Sequence, residues 1–487
     1  MAKEGWLSRI VDVVEAKRQV MFALPMVLTN VSNYMFPLVS VMFVGHIGEL
    51  ELAASTLANS WAGVTGFAFM TGLSVALETL CGQAYGAKNY KMLGIYLQTS
   101  CIISTLFSII ISIMWWYTQP ILVILLHQNP NVSKQASIYM RHLIPGIFAF
   151  GIFQNIMRFL QTQSLVWPLV VCSTLPLLFH VGLVYFLVRF TSLGFRGAPL
   201  AISISLWVSV LMILVYVICA RTLRKTWTGL SKESFGYVLV NLKLALASAA
   251  MICLEYWAFE FLILVAGLLP NSETSTSVVA MCIGTQSIAY NITYGLSAAT
   301  STRVSNELGA MRPDVAKHAM KVTMKLSIAL TTIMLLALGI WHKNWAHLFS
   351  DNINIINSFA SITPFICISI SLDSIQGVLS GVSRGSGWQN LTTFINLSSY
   401  IGICIPVACL LAFKLQFHAK GLWVGLICGI GSQTMALFLV TYFKKWSALD
   451  LPNYDDTQNH GSTELEQVRF LHIEEEDAQT IEKLPLI

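Results

Sequence analysis

The sequence predicts an all-α membrane protein of twelve transmembrane helices, built as two repeated six-helix halves. Three observations carry that prediction. The chain of 487 residues is 55% hydrophobic and only 11% charged, with a mean hydropathy of +0.67, whereas soluble domains carry about a quarter charged residues. Apolar runs of about twenty residues, the length needed to cross a bilayer, recur along it. A sequence motif in the first half returns in the second at a fixed distance.

The spans fall near 20–44, 52–79, 93–119, 137–160, 166–189, 197–220, 244–269, 276–301, 319–341, 355–382, 390–413 and 420–443. Residues 1–19 precede them, with Lys3, Glu4, Arg9, Asp12, Glu15, Lys17 and Arg18 and no continuous apolar core, which argues against a cleaved signal peptide. Trp6, Ile10, Val13 and Val14 recur at helical spacing, compatible with a short helix on the membrane surface or with a frayed polar end. An even number of spans puts both termini on one side. That side gathers most of the Lys and Arg, among them Arg221, Arg224, Lys225, Arg303, Arg312, Lys444 and Lys445, and such an excess orients it to the cytoplasm. Residues 20–220 are then an N-lobe, 221–243 a basic linker, 244–443 a C-lobe and 444–487 a cytoplasmic tail. From 450 onward the tail holds ten acids against Arg469 and Lys483, a composition suited to disorder. Its last residues, Glu482 to Ile487 (EKLPLI), are similar to an acidic dileucine sorting signal.

The repeat is explicit. GLSVALETLCGQAYGA (Gly72–Ala87) aligns with GLSAATSTRVSNELGA (Gly295–Ala310), with Gly72/Gly295, Ser74/Ser297, Thr79/Thr302, Gly86/Gly309 and Ala87/Ala310 identical. Six spans per half give both copies the same orientation, related by an axis along the membrane normal, and repeats of this kind commonly make a transporter's central cleft.

A carboxylate at the centre of a spanning helix costs about 2.5–3.5 kcal/mol on insertion scales, so it faces protein or water and marks an ion path. Glu255 lies about 18 Å along its helix from Lys243, at a rise of 1.5 Å per residue. Asp373 reaches a similar depth measured back from Arg384. Their counterparts in the first half are Ser32 and Gly151, so the duplicated scaffold carries its membrane-embedded acids in one copy only. We read them as one protonation or cation site in the C-lobe. Desolvation disfavours the charged form of a carboxyl, so such a pair can take a proton from an acidic compartment and lose it to the cytosol. Fixed structural pairing is the alternative role. Glu260, about 140° around the helix from Glu255, cannot share one cavity squarely with it. Glu78 lies near the cytoplasmic end of its span and is read as organising that loop, with Arg303 and Glu307 doing similar work in the other copy.

Asn30, Asn33 and Tyr34 in the first span, and Gln286, Ser287, Tyr290, Asn291 and Tyr294 in the eighth, supply amides and rings. They can line a path for an organic solute through stacking and cation–π contact, or hydrogen-bond neighbouring helices. Pro25 and Pro364 are natural bending points. The ten cysteines form no CxxC and the ten histidines no HxxxH or HExxH, so neither a metal site nor a redox pair is expected, and no enzyme. Asn131 begins a sequon in an outer loop; those at Asn30, Asn291 and Asn396 fall within spans.

At ETLCGQAYGAKNYKMLGIYLQ, CLEYWAFE, STRVSNELGA and LDSIQGVLSGVSRGSGWQ the chain resembles the multidrug and toxic compound extrusion family, in its plant DETOXIFICATION branch. The resemblance implies two lobes around a V-shaped cavity and secondary-active antiport, a cation entering as an organic solute leaves the cytosol. The family's C-lobe acids match Glu255 and Asp373. Where many relatives have an acid in the first span, this chain has Asn30, Ser32 and Asn33. The resemblance implies a proton as the coupling ion, with sodium the alternative, and no cofactor. Substrates would be organic cations, xenobiotics or plant secondary metabolites. The expected setting is the vacuolar or plasma membrane, with the lipid bilayer and the solute as partners, no nucleic acid, and a monomer. A lipid-linked substrate flippase, a different class on a related plan, would carry several basic residues in its cavity, and the spans have almost none. A passive channel would be indifferent to a pH gradient.

Overall fold

A computed structural model of the chain describes residues 12–269, 272–348, 352–447 and 449. The readings that concern Trp6 and Ile10, the acidic residues 450–487 and the EKLPLI end lie outside these residues. Among the described residues there are twelve long helices: α1 Val13–Gly45, α2 Glu49–Gly86, α3 Tyr90–Trp116, α4 Pro130–Thr162, α5 Trp167–Arg189, α6 Gly197–Cys219, α7 Val238–Ala266, α8 Ser272–Gly309, α9 Pro313–His347, α10 Ile353–Ser386, α11 Gln389–Lys414 and α12 His418–Phe443. Among the described residues, eleven stretches are long and apolar enough to cross a membrane by composition, and of the twelve helices α8 is the exception. It can be polar because α1, α2, α9 and α10 all pack on it, so its side chains meet protein rather than lipid. Outward faces elsewhere are apolar, as at Leu106, Ile109, Ile110 and Ile113 of α3 and Leu175, Leu178 and Phe179 of α5, all exposed. Helices α2 and α4 are the inner ones, 72% buried over their most apolar window against 17% for α9.

Several ends differ from the sequence expectation for identifiable reasons. Helix α1 begins at Val13 because the Asp12 carboxylate caps it, accepting from the backbone N–H of Val14 (3.0 Å) and Glu15 (3.2 Å); such a cap satisfies orphan donors of the first turn. The Glu15 N–H, with help from His318, holds the Asp12 carboxyl below its ordinary range. Helix α4 begins at Pro130, capped by Asn129, so Asn131 sits in its first turn rather than in a loop. The linker is docked rather than loose: Gln98 of α3 binds the Gly229 carbonyl and the Ser231 N–H, and Thr226 donates to Gln163. Helix α7 then starts at Val238, five residues before the predicted linker ends.

The end of the bundle where α1 begins and α12 finishes is called proximal here, the other distal. On the proximal half the two repeats cross, and equivalent residues meet. The Gly86 Cα lies against the Asn306 carbonyl and the Gly309 Cα against the Gln83 carbonyl, so a Cβ at either would collide with backbone. Gly82 faces the Ser305 side chain at similarly short range. The Gly86–Asn306 and Gly309–Gln83 contacts are copies of one another, and Gly82 and Ser305 are repeat equivalents meeting directly, as a two-fold axis requires. Ser301 Oγ donates to Glu78 Oε2 at 2.5 Å, and these residues are themselves equivalents 223 apart, so the axis passes between them. Further out, Gly72 of α2 abuts Ser248 and Ala249 of α7, while Gly295 of α8 abuts Ala23 and Val27 of α1. The repeat glycines are thus where four helices pass at backbone distance.

Gly309→Ala should therefore destabilise the molecule by the cost of overpacking, about 1–3 kcal/mol, and Gly339→Ala, where a Cβ meets nothing within 4 Å, should not. Unfolding by titrated denaturing detergent, followed by tryptophan fluorescence, checks the pair.

Candidate functional site

The crossing of the repeats carries charge. Glu78 on α2 is fully buried between two arginines, with Oε1 at 2.9 Å from Arg158 Nη1 of α4 and Oε2 at 3.0 Å from Arg384 Nε of α10. Arg384 also donates to Ser297 Oγ (2.7 Å) and Ser380 Oγ (3.2 Å), and Arg158 to Gln161 Oε1 (2.9 Å). Both guanidiniums lie over the Tyr294 ring, 5.7 and 5.9 Å from its centroid. Gln389 Nε2 donates to Thr79 Oγ1 at 2.7 Å, and Thr79 in turn binds the Arg384 carbonyl. Glu78 and Arg158 belong to the N-lobe, Arg384, Ser301 and Gln389 to the C-lobe. The cluster is a seal between lobes rather than the organiser of a local loop. Arg303 and Glu307 do sit at the proximal surface, where Arg303 grips Glu15 of α1 at 2.9 and 3.1 Å and Glu307 at 2.6 Å.

Distal to the seal lies a cavity of about 210 Å³ between the lobes. Its wall includes Asn30, Asn33, Tyr34 and Phe36 of α1, Asn59, Phe67 and Thr71 of α2, Phe150, Gln154 and Arg158 of α4, Tyr256 of α7, Tyr290, Asn291 and Tyr294 of α8, and Arg384. Six of the eight residues that the sequence suggested for a solute path are in it. Gln286 and Ser287 are not. Gln286 turns away because its carboxamide is occupied: Nε2 donates to Asp373 Oδ2 (3.1 Å) and Oε1 accepts from Ser369 (2.9 Å). Ser287 gives its backbone carbonyl to Asn291 Nδ2 at 2.8 Å. Several wall groups have no hydrogen-bond partner among the described residues, namely Asn30 Nδ2, Asn33 Nδ2, Asn59 Oδ1 and Gln154 Oε1. Unmet donors and acceptors of this kind are costly without a ligand or water, and between aromatic rings they suit a planar solute bearing polar groups.

Beside the cavity, Glu255 enters a small pocket lined by Ile252, Tyr290, Thr293, Tyr294, Ser297, Gln376, Gly377, Ser380 and Arg384. Asp373 is buried and ends the chain Trp423–Ser369–Gln286–Asp373. Ile252, Tyr290, Tyr294 and Arg384 line both this pocket and the cavity. Glu260 lies apart and accepts from Ser60 of α2 at 2.8 Å, with Trp257 Nε1 donating to the Val64 carbonyl at 3.1 Å one turn below.

The sequence reading missed Arg158 and Arg384, the two basic residues at the base of the cavity. The signal was available. Glu78 in SVALETL is the one charged residue of the predicted span 52–79, such a charge requires an opposite one on a neighbour, and Arg158 in NIMRFLQ is a candidate for it.

Glu78→Gln leaves two guanidiniums buried without a carboxylate, and removing one member of a buried ion cluster costs about 3–5 kcal/mol. A strong drop in melting temperature is expected for it, with a far smaller one for Ser301→Ala, read by a thermal unfolding assay on the purified protein.

The model of the MatE family matches this chain twice, over residues 25–186 and 247–410, once in each half. Protein DETOXIFICATION 18 of Arabidopsis thaliana is 55% identical over 444 residues, which cover 91% of this chain and 94% of that one, and DETOXIFICATION 16 of the same plant is 44% identical over 89% of each. The crystal structure of the eukaryotic MATE transporter AtDTX14 superposes with a TM-score of 0.85 at 37% identity, covering 89% of this chain and 97% of that one. An outward-facing multidrug resistance MATE transporter at 18% identity and a TM-score of 0.74 shares the fold. The chain belongs to the MATE family: it is a multi-pass membrane transporter that extrudes small organic compounds, and not an enzyme.

Proposed function

We propose that this transporter is a proton-coupled antiporter. An aromatic organic solute occupies the cavity, and the driving proton is held by Glu255 and Asp373. The observation that carries the reading is the wall of Ile252, Tyr290, Tyr294 and Arg384 common to the acid pocket and the cavity. A solute that presses on Tyr290 and Tyr294 touches the residues that surround Glu255, so solute and proton compete for one set of side chains. A ligand shifts a conformational equilibrium only through its differential interaction with the two states. Arg384 supplies that difference here, because it faces Glu255 on one side and pairs with Glu78 on the other. A change of charge at Glu255 alters the electrostatic balance of the seal that closes the proximal end.

The first span carries no acid at Asn30, Ser32 or Asn33, and Ser32 is bonded to Thr174 of α5 at 3.2 Å, in keeping with one ion site in the C-lobe. The excess of Lys and Arg in the proximal loops puts that end, and both termini, in the cytoplasm. The cavity, distal to the seal, then faces the vacuolar lumen or the cell exterior. The cavity wall favours rings and hydrogen-bonding groups and has no carboxylate among its lining residues. Secondary metabolites with hydroxylated rings fit it, and so do cations that rely on cation–π contact. Nothing in this scheme requires more than one copy of the chain.

In liposomes with an imposed pH gradient, a panel of fluorescent aromatic solutes should accumulate in the acidic lumen, and the accumulation should collapse with the gradient. Sodium-dependent movement without a pH gradient would replace the proton with sodium. Glu255→Gln and Asp373→Asn should each abolish gradient-driven transport while the protein inserts and purifies as the parent does. Transport at the parental rate in either variant would remove the acids from the mechanism.

A further inference from the structure

Beyond α12 the chain turns back across the proximal face and crosses from one lobe to the other. Trp446 is buried in a nest made by Val304 and Leu308 of α8, Ala316 of α9 and Val382 of α10. Its indole N–H donates to the Thr441 carbonyl at 3.0 Å, and its ring meets the edge of Trp388 at 5.8 Å. Lys444 lies 5.6 Å over Trp388 and Lys317 lies 6.0 Å over Trp446, so the anchor is aromatic and cationic at once. All of these contacts belong to the C-lobe. Leu449 does not stay there. Its backbone N–H donates to Gln83 Oε1 at 2.8 Å, and Gln83 is on α2 of the N-lobe, one turn past Glu78.

Gln83 is fully buried, and both ends of its carboxamide are committed to the opposite lobe. Oε1 accepts from Leu449, and Nε2 donates to the Gly385 carbonyl at 3.0 Å. Its own backbone carbonyl is the surface against which Gly309 packs. The Leu449 side chain closes the arrangement by lying on Gly387, where φ is +79° and a Cβ would stand 2.9 Å from Leu449 Cδ1. Glycine is required there both for the backbone conformation and for the approach of the leucine. The same short turn, Gly385 to Gln389, thus meets Gln83 and Leu449 on one side and reaches the ion seal through Gln389 and Thr79 on the other.

We propose that the strap bearing Trp446 and Leu449 is a proximal latch: Trp446 fixes it to the C-lobe, and the Leu449–Gln83 bond ties it to the N-lobe whenever the proximal end is closed. The bond spans the seam that must part for that end to open, so it breaks once per cycle and its strength sets how readily the end opens. The proposal rests on alternating opening of the two ends and not on which ion drives it.

Leu449→Pro removes the N–H donor and leaves Trp446 in place, while Trp446→Ala frees the whole strap. The readout is alkylation of a cysteine at the buried proximal position Thr302→Cys by a water-soluble maleimide, measured by peptide mass spectrometry on the full chain in nanodiscs. The assay needs neither solute nor ion gradient, so its result is independent of the coupling scheme. In Leu449→Pro the alkylation rate at 302 should rise between about twofold and tenfold, the equilibrium shift one net hydrogen bond commands. Trp446→Ala should raise it at least as far. Alkylation of Asn59→Cys in the cavity should not accelerate in either. An unchanged or slower rate at 302 overturns the latch. Equal acceleration at both positions also overturns it, because the substitutions would then have loosened the whole molecule.

Discussion

The structure depends on the neutralisation of three charges taken out of water. Glu78, Arg158 and Arg384 are each almost wholly buried, at a depth where an unpaired charge costs several kcal/mol even after relaxation. Glu78 and Arg158 share the N-lobe, so it is Arg384, on α10 of the C-lobe, that reaches its carboxylate only when the lobes are together. The closed proximal end is therefore a property of the ions as much as of the packing. Two guanidiniums face one carboxylate, and that imbalance draws in Ser297, Ser380, Gln161 and the face of Tyr294 as further partners. The seal is thereby joined by hydrogen bonds and ring contacts to both the acid pocket and the cavity.

Duplication explains the architecture and also where it had to be broken. On a two-fold axis a residue meets its own copy. Small residues tolerate that, and Gly82, Gly86 and Gly309 use it to bring α2 and α8 to backbone distance. A charged residue does not, because a faithful copy of Glu78 would put a second carboxylate at position 301, within hydrogen-bonding distance of the first, with no water to screen them. Ser301 stands there instead and donates a hydrogen bond. Asymmetry begins at the axis for an electrostatic reason and spreads outward. The C-lobe holds Glu255 and Asp373, while most of the cavity wall comes from α1, α2, α4 and α6 of the N-lobe.

Much of this was legible in the sequence, and the gaps have physical causes. Length and hydropathy mark eleven spans. The twelfth, α8, read as the span 276–301, is the least apolar of them, because a helix surrounded by protein loses the apolar signature of a lipid-facing one, and its alignment with the glycine motif of α2 supports it independently. Tyr290 and Tyr294 were placed on one wall by their spacing of four, but the same spacing wrongly added Gln286, whose amide finds Asp373 instead. Helical periodicity gives the face a residue occupies and says nothing of a better partner across the groove. Arg158 and Arg384 escaped notice because each reads locally as a charge near the end of a span. Only the convergence of α2, α4 and α10 makes them a cluster, and convergence is a property of the fold.

The two seams between lobes are closed to different heights, and this bears on how the molecule moves. Along α2 and α7 contact runs from Gly72 against Ala249, through Val64 against Trp257, to Ser60 against Glu260. Along α1 and α8 it runs from Glu15 against Arg303 to Ala23 against Gly295. Beyond that, Asn30, Asn33 and Tyr34 face Tyr290 and Asn291 across the cavity. A rigid hinge at the proximal end would part both seams equally. The distal part of α1 instead leans on α5, through Ser32 to Thr174 and Ser40 to His180. Pro25 and Pro37 interrupt its backbone bonding on either side of the cavity residues, and prolines within a helix are where it bends at least cost. The less tethered wall of the cavity is thus α1, while α7, pinned to α2 at three levels, carries Glu255 beside Arg384. Under the proposed exchange, an acid held in register beside a less tethered wall would let the solute site change shape while Glu255 keeps its neighbours.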